Sequence, residues 1–188
     1  VLPYNNTGVV VEVSGQTILE MLETSVSKWP EESGNFPHVS GMTFSVNTLG
    51  EANSRVYNVE VLNSESGKYE PLALDKTYTV ASNNFILLEN GDGMTMFAGA
   101  EVVSDTGILD VEILERYVVH YLDGVIDERY AQVNGHITFT EGIQTDPPYV
   151  TDGDRTIWIL AVGGVVALAL IALTVSSFVL SQKAKGKQ

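Results

Sequence analysis

The chain has 188 residues, with 24 Asp and Glu against 10 Lys and Arg, a net charge of −14 and no cysteine. This length suits one domain with its own core plus a further segment. The acidic balance argues against a nucleic-acid-binding surface, which needs basic patches. The lack of cysteine excludes disulfides, thiol nucleophiles and cysteine-ligated zinc.

A strand and a helix are predicted first. Gly8 to Ser14 has strand composition, and its last residue is the expected N-cap of the helix that follows. Apolar residues then recur at helical spacing on one face as far as Trp29, and Pro30 stops the helix. The loop that comes next, EESGNFPH, holds Phe36 in a polar setting.

Further strands and a second helix complete the predicted domain. MTFSVNT and RVYNVEVLN alternate with period two, which predicts a hairpin or two neighbouring strands, and KTYTVAS predicts another strand. A helix is expected from Asp110, as its N-cap, to Gly124, and HITFTEG is the last predicted strand. This order of elements predicts an α+β domain over residues 1–142, with a mixed β-sheet and two main helices.

The C-terminal part predicts a membrane anchor. Residues 143–156 are a Pro/Asp/Gly-rich stalk, and residues 157–180 contain no charge. A helix of that length spans roughly 36 Å, enough for one transmembrane helix. Residues 181–188 form a basic tail, which favours a cytoplasmic C-terminus and an extracellular domain at the plasma membrane. A Gram-positive wall-sorting signal is the alternative, although PPYVTDGD matches such a site only in part.

The beginning of the chain predicts a longer parent protein. The sequence opens at VLPYNNTG, with no Met and no signal peptide, although the predicted topology needs one. Residues 1–154 hold all 24 acidic residues and six basic ones, a charge of −18, whereas residues 155–188 hold four basic residues. We therefore expect an acidic, N-terminally truncated ectodomain.

The sequence contains no recognisable catalytic motif, and its candidate functional residues are aromatic. His38, His120 and His136 lack the spacing of metal ligands, and no nucleophile elbow or phosphate-binding loop occurs. Phe36 and Phe85 each suit a peripheral core position. Alternatively, both rings face one cleft and stack on a nucleobase, which is worth about 1–3 kcal/mol per base. An aspartate near such a cleft accepts hydrogen bonds from ribose hydroxyls, and glycines beside it allow close backbone approach.

Three segments resemble the C-terminal domain of the 5′-nucleotidase family, which includes ecto-5′-nucleotidases, bacterial UDP-sugar hydrolases and 2′,3′-cyclic-nucleotide phosphodiesterases. VLPYNNTGVVVEVSGQTILEMLETSV resembles the family's LPF strand and the helix after it. GNFPHVSGMTFSVN resembles its G-x-F-x-Q-V-S-G segment, and NNFILLENGDGM resembles its N-[FY]-L-x-x-G-G-D-G-[FY] loop. The order and spacing of the three segments make the resemblance specific over about residues 1–142.

The resemblance implies that the domain binds a nucleoside or nucleotide. The two aromatic side chains that sandwich the base in the family correspond to Phe36 and Phe85, and the aspartate that contacts the ribose corresponds to Asp92. Asn84 and Gly93 lie beside these residues and are expected to line the same site.

Three positions depart from the family's pattern. The loop is about one residue longer, with Asn90 at the first glycine position, Met94 replaces an aromatic residue, and His38 stands at the glutamine.

The family's hydrolysis is carried out by a domain that this sequence lacks. An N-terminal metallophosphoesterase domain binds two divalent metal ions, which activate a water and neutralise the phosphate. The resemblance thus implies a surface phosphohydrolase whose substrate-binding part is this chain, with no catalytic or metal-binding residues of its own. The alternative is a membrane-tethered binding or adhesion module that keeps the fold without nucleotide recognition. A relative acting on a sulfur or sugar substrate is a third reading.

Overall fold

The structure is a computed structural model, and it describes residues 2–142. The α+β class predicted from the sequence is confirmed. The strands are β1 (Thr7–Ser14), β2 (Met42–Asn47), β3 (Val56–Leu62), β4 (Tyr69–Pro71), β5 (Thr77–Asn83), β6 (Glu101–Leu109) and β7 (Ile137–Thr140). The α-helices are α1 (Gly15–Val26), α2 (Asn84–Leu87) and α3 (Asp110–Arg116).

The strands form two sheets, whereas the sequence predicted one mixed sheet. One sheet has the order β5-β1-β6 and is antiparallel throughout. The other has the order β4-β3-β2-β7, with β7 parallel to β2 and the remaining pairs antiparallel. The predicted pairing of the second and third strands is confirmed. The prediction of a single sheet is wrong because alternation identifies strands and their faces, but does not determine which strands pair.

The core lies against one face of β1 and against α1. Val9, Val11 and Val13 alternate inward along β1 and are buried, while Glu12 points to the opposite face. The buried face of α1 carries Ile18, Leu19, Leu22 and Val26. These side chains share one cluster with inward residues of β2 and β3, namely Phe44, Val46, Val56 and Val59.

Helix α1 begins as the sequence predicts but ends earlier. The Ser14 hydroxyl accepts the N–H of Thr17 at 3.2 Å, so the predicted N-cap is confirmed. The helix ends at Val26, and Trp29 therefore lies beyond it rather than on its apolar face. Arg55 caps this end of the helix, because its Nη1 donates to the carbonyls of Val26 (2.9 Å) and Ser27 (2.8 Å).

A second polar contact joins α1 to β3. The Glu23 carboxylate accepts the N–H groups of Arg55 (3.1 Å) and Val56 (2.9 Å). Burial raises the pKa of Glu23 above its ordinary value, and the two backbone N–H groups and the Arg55 guanidinium oppose that shift. Glu23 thus satisfies donors at the start of β3 while remaining partly removed from water.

The predicted second helix is present, but Asp110 is its first residue rather than its N-cap. Leu109 has the extended N-cap conformation, and the Asp110 carboxylate accepts the N–H of the adjacent Val111 at 2.7 Å. After α3 the chain continues through a π-helical turn, Tyr117–Tyr121. Gly124 ends it as predicted, with φ +76° and its N–H donated to Val118 at 2.9 Å.

Across residues 2–142, none of the helices is both long enough and apolar enough to span a bilayer. The predicted stalk, transmembrane helix and basic tail, residues 143–156, 157–180 and 181–188, lie outside the described residues.

Candidate functional site

The segment between β5 and β6 forms a loop anchored at both ends. The last residue of β5, Asn83, caps α2, and its side-chain oxygen accepts the N–H of Ile86 at 3.0 Å. Leu87 is buried and ties the first half of the loop to the core, whereas Leu88 points to solvent. Met94 and Phe97 are buried and hold the second half. The Asn-Gly-Asp-Gly turn lies between these anchors.

The ring of Phe85 packs directly on Gly91. A side chain at position 91 would collide with the Cδ1, Cε1 and Cζ atoms of that ring. Gly91 is buried, whereas Phe85 is 38% exposed, so the turn supports one face of an otherwise accessible aromatic ring. The glycine at position 91 is therefore required by ring contact rather than by a left-handed backbone.

The turn holds Asp92 away from the core. Asn90 and Asp92 both adopt the left-handed conformation, with φ +56° and +54°, and Gly93 follows with φ +81°. Asp92 is exposed, and the described residues provide no hydrogen-bond or ionic partner for its carboxylate. Its two oxygens are thus free to accept hydrogen bonds from hydroxyl groups of a ligand.

The amide of Asn84 fastens the loop to β1. Its Oδ1 accepts the N–H of Thr7 at 2.7 Å, and its Nδ2 donates to Glu89 Oε1 at 2.8 Å. Glu89 belongs to the segment where the loop is longer than the family's pattern, so the extra length is tied back to the strand. A substrate contact by Asn84 stays a prediction.

Asn90 brings an unpaired acceptor into this loop. Its Oδ1 is buried and has no hydrogen-bond donor within residues 2–142. Asparagine tolerates the left-handed conformation better than other non-glycine residues, which explains how it occupies a position where the family's pattern has glycine.

Phe36 belongs to a stack of three aromatic rings. It is half-buried against the core, and its ring centroid lies 6.2 Å from that of Phe139 with an interplanar angle of 16°. Phe139 in turn stacks on Trp29 at 5.0 Å and 29°. His38 meets Phe36 edge-on at 6.0 Å. The loop phenylalanine is therefore held by a ring from the last strand.

The sequence pattern did not predict that Trp29 and Phe139 belong to this arrangement. One signal was available. Phe139 occupies an outward position of β7 and is 44% exposed, and a large aromatic side chain at such a position often indicates a contact with a neighbouring loop or a ligand.

The predicted site residues come from two loops. Asn84, Phe85, Asp92 and Gly93 share the loop after β5, whereas Phe36 lies in the loop after α1. Phe36 and Phe85 do not stack on each other in the part of the chain that the structure describes. Whether both rings contact one base stays a prediction.

The described residues do not suit a metal centre. No group of three or more His, Asp or Glu side chains within residues 2–142 could hold a metal ion. His136 has a structural role, because its Nδ1 lies 2.9 Å from the carbonyl oxygen of Val39. These residues do not fit a two-metal hydrolase site, so the metal chemistry expected of the parent family is assigned to none of them.

Comparisons with known proteins identify the family of this domain. Residues 1–99 match the family model described as 5′-nucleotidase, C-terminal domain. The chain is 32% identical over 149 residues to a 5′-nucleotidase of Diplobatis ommata, covering 78% of this chain and 25% of that protein. It is 30% identical over 144 residues to a 5′-nucleotidase of Bos taurus, covering 76% of this chain and 24% of that protein.

A solved structure gives the same result. The crystal structure of a 5′-nucleotidase precursor from Thermus thermophilus superposes with a TM-score of 0.66 at 36% identity, covering 78% of this chain and 27% of that one. The chain spans about a quarter of the length of the curated relatives it matches. Residues 1–99, which match the family model, contain Phe36, Phe85 and the Asn-Gly-Asp-Gly turn. The chain belongs to the 5′-nucleotidase C-terminal domain family.

Proposed function

We propose that this chain is the nucleoside-binding part of a 5′-nucleotidase-type phosphohydrolase, which converts a nucleotide and water into a nucleoside and phosphate. The base stacks between Phe36 and Phe85, and the Asp92 carboxylate accepts hydrogen bonds from the ribose hydroxyls. Asn84 and Gly93 form the adjoining wall. Metal-dependent hydrolysis belongs to an N-terminal metallophosphoesterase domain of a longer polypeptide, with two divalent metal ions.

The observation that carries this proposal is the contact of Phe85 with Gly91 beside the exposed Asp92. The turn backs one face of the ring and leaves the side chain 38% exposed. The same turn presents a carboxylate without a partner among residues 2–142. An open aromatic face next to free acceptors suits a nucleoside, which combines a flat base with vicinal hydroxyls.

The acidic character of the domain fits a parent protein in which this domain binds the nucleoside and another domain binds the phosphate. Residues 1–154 carry a charge of −18, which disfavours the binding of a free phosphate group. If the domain binds the neutral nucleoside part of the substrate, it avoids that repulsion. The phosphate would then be neutralised by the metal ions of the other domain.

The setting is proposed from the C-terminal sequence. Residues 157–180 would form a single transmembrane helix that places the domain outside the plasma membrane and the basic tail, residues 181–188, in the cytoplasm. Attachment to a Gram-positive cell wall is the alternative. A topology test with a protease added to intact cells distinguishes an exposed domain from an internal one.

A membrane-tethered binding or adhesion module is the second candidate function. It is favoured by the lengthened loop at Glu89 and Asn90, where Asn90 Oδ1 lacks a donor in the described part of the chain. Such a module would keep the fold and lose nucleoside recognition.

Titration of the 188-residue chain with adenosine and uridine by isothermal calorimetry separates the two candidates. We expect binding that Phe85→Leu weakens and that Tyr69→Leu leaves unchanged. Tyr69 is the matched control because it is an aromatic residue with 39% exposure on β4, outside the loop. In the longer polypeptide with a divalent metal, we expect hydrolysis of AMP or UMP. The absence of both nucleoside binding and nucleotide hydrolysis would favour the adhesion module.

A further inference from the structure

One long segment of the domain contributes to the core only the partly buried side chains of Ala100 and Ile137. From Ala98 to Gly142, which includes β6, α3 and β7, no residue is buried. Large apolar side chains are nevertheless frequent there. On α3 and the turn after it they are Val111, Ile113, Leu114, Tyr117 and Tyr121, all at least 41% exposed. We call these five side chains the α3 face.

The α3 face has the pattern of a buried helix surface. Its members recur at spacings of three and four residues, so they form one apolar stripe along the helix. Such a stripe normally packs on another element, and contiguous exposed apolar surface of this kind marks an interaction site. Tyrosines dominate its C-terminal end, and tyrosine is enriched at the centre of protein interfaces.

A groove continues the α3 face onto the three-stranded sheet. Its volume is about 370 Å³, and its lining includes Leu2, Gly8, Val10, Ala81, Thr106 and Ile113. Ile113 reaches over Gly8, where any side chain would collide with it. Helix α3 thus contacts β1 through Ile113, and the Tyr117 hydroxyl lies 2.9 Å from that of Tyr130. All five side chains of the α3 face still remain at least 41% exposed.

The first described residue lies in this groove. Because Leu2 is part of the lining, the polypeptide that precedes Val1 in a longer chain would start beside the α3 face. The curated relatives are about four times as long as the matched part, since the chain covers 25% and 24% of two of them. The matched family is a C-terminal domain, so the additional length belongs upstream.

We propose that the α3 face and the adjoining groove are the docking surface for the polypeptide segment that directly precedes Val1, which packs there with apolar side chains. The inference rests on the proposed origin of the chain as part of a longer polypeptide, and it does not depend on nucleoside binding.

Charge disfavours a second copy as the occupant. Residues 101–142 contain nine Asp and Glu against two Arg. A symmetric contact of two such surfaces would bring like charges together around the apolar stripe. A preceding segment of the same polypeptide has no such constraint, and its connection to Leu2 gives it a high effective concentration at the groove.

Single-cysteine labelling tests the proposal, because the chain has no cysteine of its own. Leu114→Cys reports on the α3 face, and Ser64→Cys in the exposed turn between β3 and β4 is the matched control. Each variant is made in the 188-residue chain and in the longer polypeptide. The rate of modification by a maleimide is then followed by peptide mass spectrometry.

We expect both cysteines to react at similar rates in the 188-residue chain. In the longer polypeptide the Leu114→Cys site should react at least tenfold more slowly, while the Ser64→Cys site is unchanged. Equal reactivity of the two sites in the longer polypeptide would overturn the proposal. So would protection of the Leu114→Cys site already present in the 188-residue chain. Dependence of that protection on protein concentration would identify a second copy, and independence would identify another part of this chain.

AMP hydrolysis by the same longer polypeptide is measured in parallel. A protected Leu114→Cys site without hydrolysis of any nucleotide would support the docking surface and contradict the proposed function. Hydrolysis of a nucleotide with an unprotected Leu114→Cys site would support the proposed function and contradict the docking surface.

Discussion

The ring of Phe139 stacks on that of Phe36, with 6.2 Å between the centroids and 16° between the planes. Phe139 comes from the last strand, and Trp29 packs on it at 5.0 Å. The ring proposed to stack on a base is thereby fixed by two further rings. Such support lowers the ordering cost of binding, because the orientation of the ring is set before the ligand arrives.

Removal of either proposed stacking ring should weaken nucleoside binding. We expect Phe36→Ala and Phe85→Ala each to raise the Kd roughly 5- to 150-fold, corresponding to about 1–3 kcal/mol per stacked base. Calorimetric titration with adenosine measures the effect, and circular dichroism checks that each variant is folded. If Phe85→Ala binds as tightly as the unaltered chain, the base does not stack on this ring.

Phe139→Leu should weaken the same binding indirectly. Loss of an aromatic pair is worth about 0.5–1.5 kcal/mol, so we expect the Kd to rise roughly 2- to 12-fold. Leucine at an exposed position of β7 keeps the strand, and Phe139→Tyr, which retains the ring, should bind normally. Equal losses for the leucine and tyrosine variants would show that stacking on Phe36 is not the cause.

Gly91→Ala tests the contact between Phe85 and the turn. The added methyl group meets the Phe85 ring, and overpacking of this kind costs about 1–3 kcal/mol of unfolding free energy. Urea denaturation measures this cost. In a Phe85→Ala background the same substitution should cost much less, because the colliding ring is gone. If Gly91→Ala costs the same unfolding free energy in the Phe85→Ala background, the added methyl group does not collide with the Phe85 ring.

Arg55→Met should destabilise the domain at the end of α1. It removes donors to Val26, Ser27 and Gly50, and we expect a loss of about 2–4 kcal/mol on the scale of hydrogen bonds from charged groups. Arg116→Met is the control, because the Arg116 pair with Glu112 is exposed at 4.0 Å and should cost less than about 1 kcal/mol. Similar losses in urea unfolding for both variants would contradict this assignment.

Glu23 should make stability depend on pH in a defined direction. Burial raises its folded pKa above the ordinary value of 4.5, so its contribution is fully present below that value and is lost as the pH rises through the folded pKa. Glu23→Gln removes this titration. The stability difference between the unaltered chain and the variant should therefore be larger near pH 4 than near pH 7. Urea unfolding at both pH values measures it, and a difference that grows with pH would contradict the raised pKa.

The local elements could be predicted from the sequence because their causes are local. The period-two alternation of β1, the Ser14 cap and the glycine at the end of the α3 region depend on residues a few positions apart. The glycines of NFILLENGDGM likewise indicate a loop, whereas the contact of Asp92 with a ribose follows only from the resemblance and stays a prediction. Asp110 is predicted as the N-cap of α3, and in the structure it is the first helical residue.

Only the tertiary structure decided the contacts between distant segments. The division into two sheets, the stack of Phe139 on Phe36 and the packing of Phe85 on Gly91 depend on strand pairing and ring orientation, which no local period encodes. The same is true of the exposure of the α3 face. In the fold of residues 2–142 each of its five side chains stays at least 41% exposed, although Ile113 contacts Gly8 of β1.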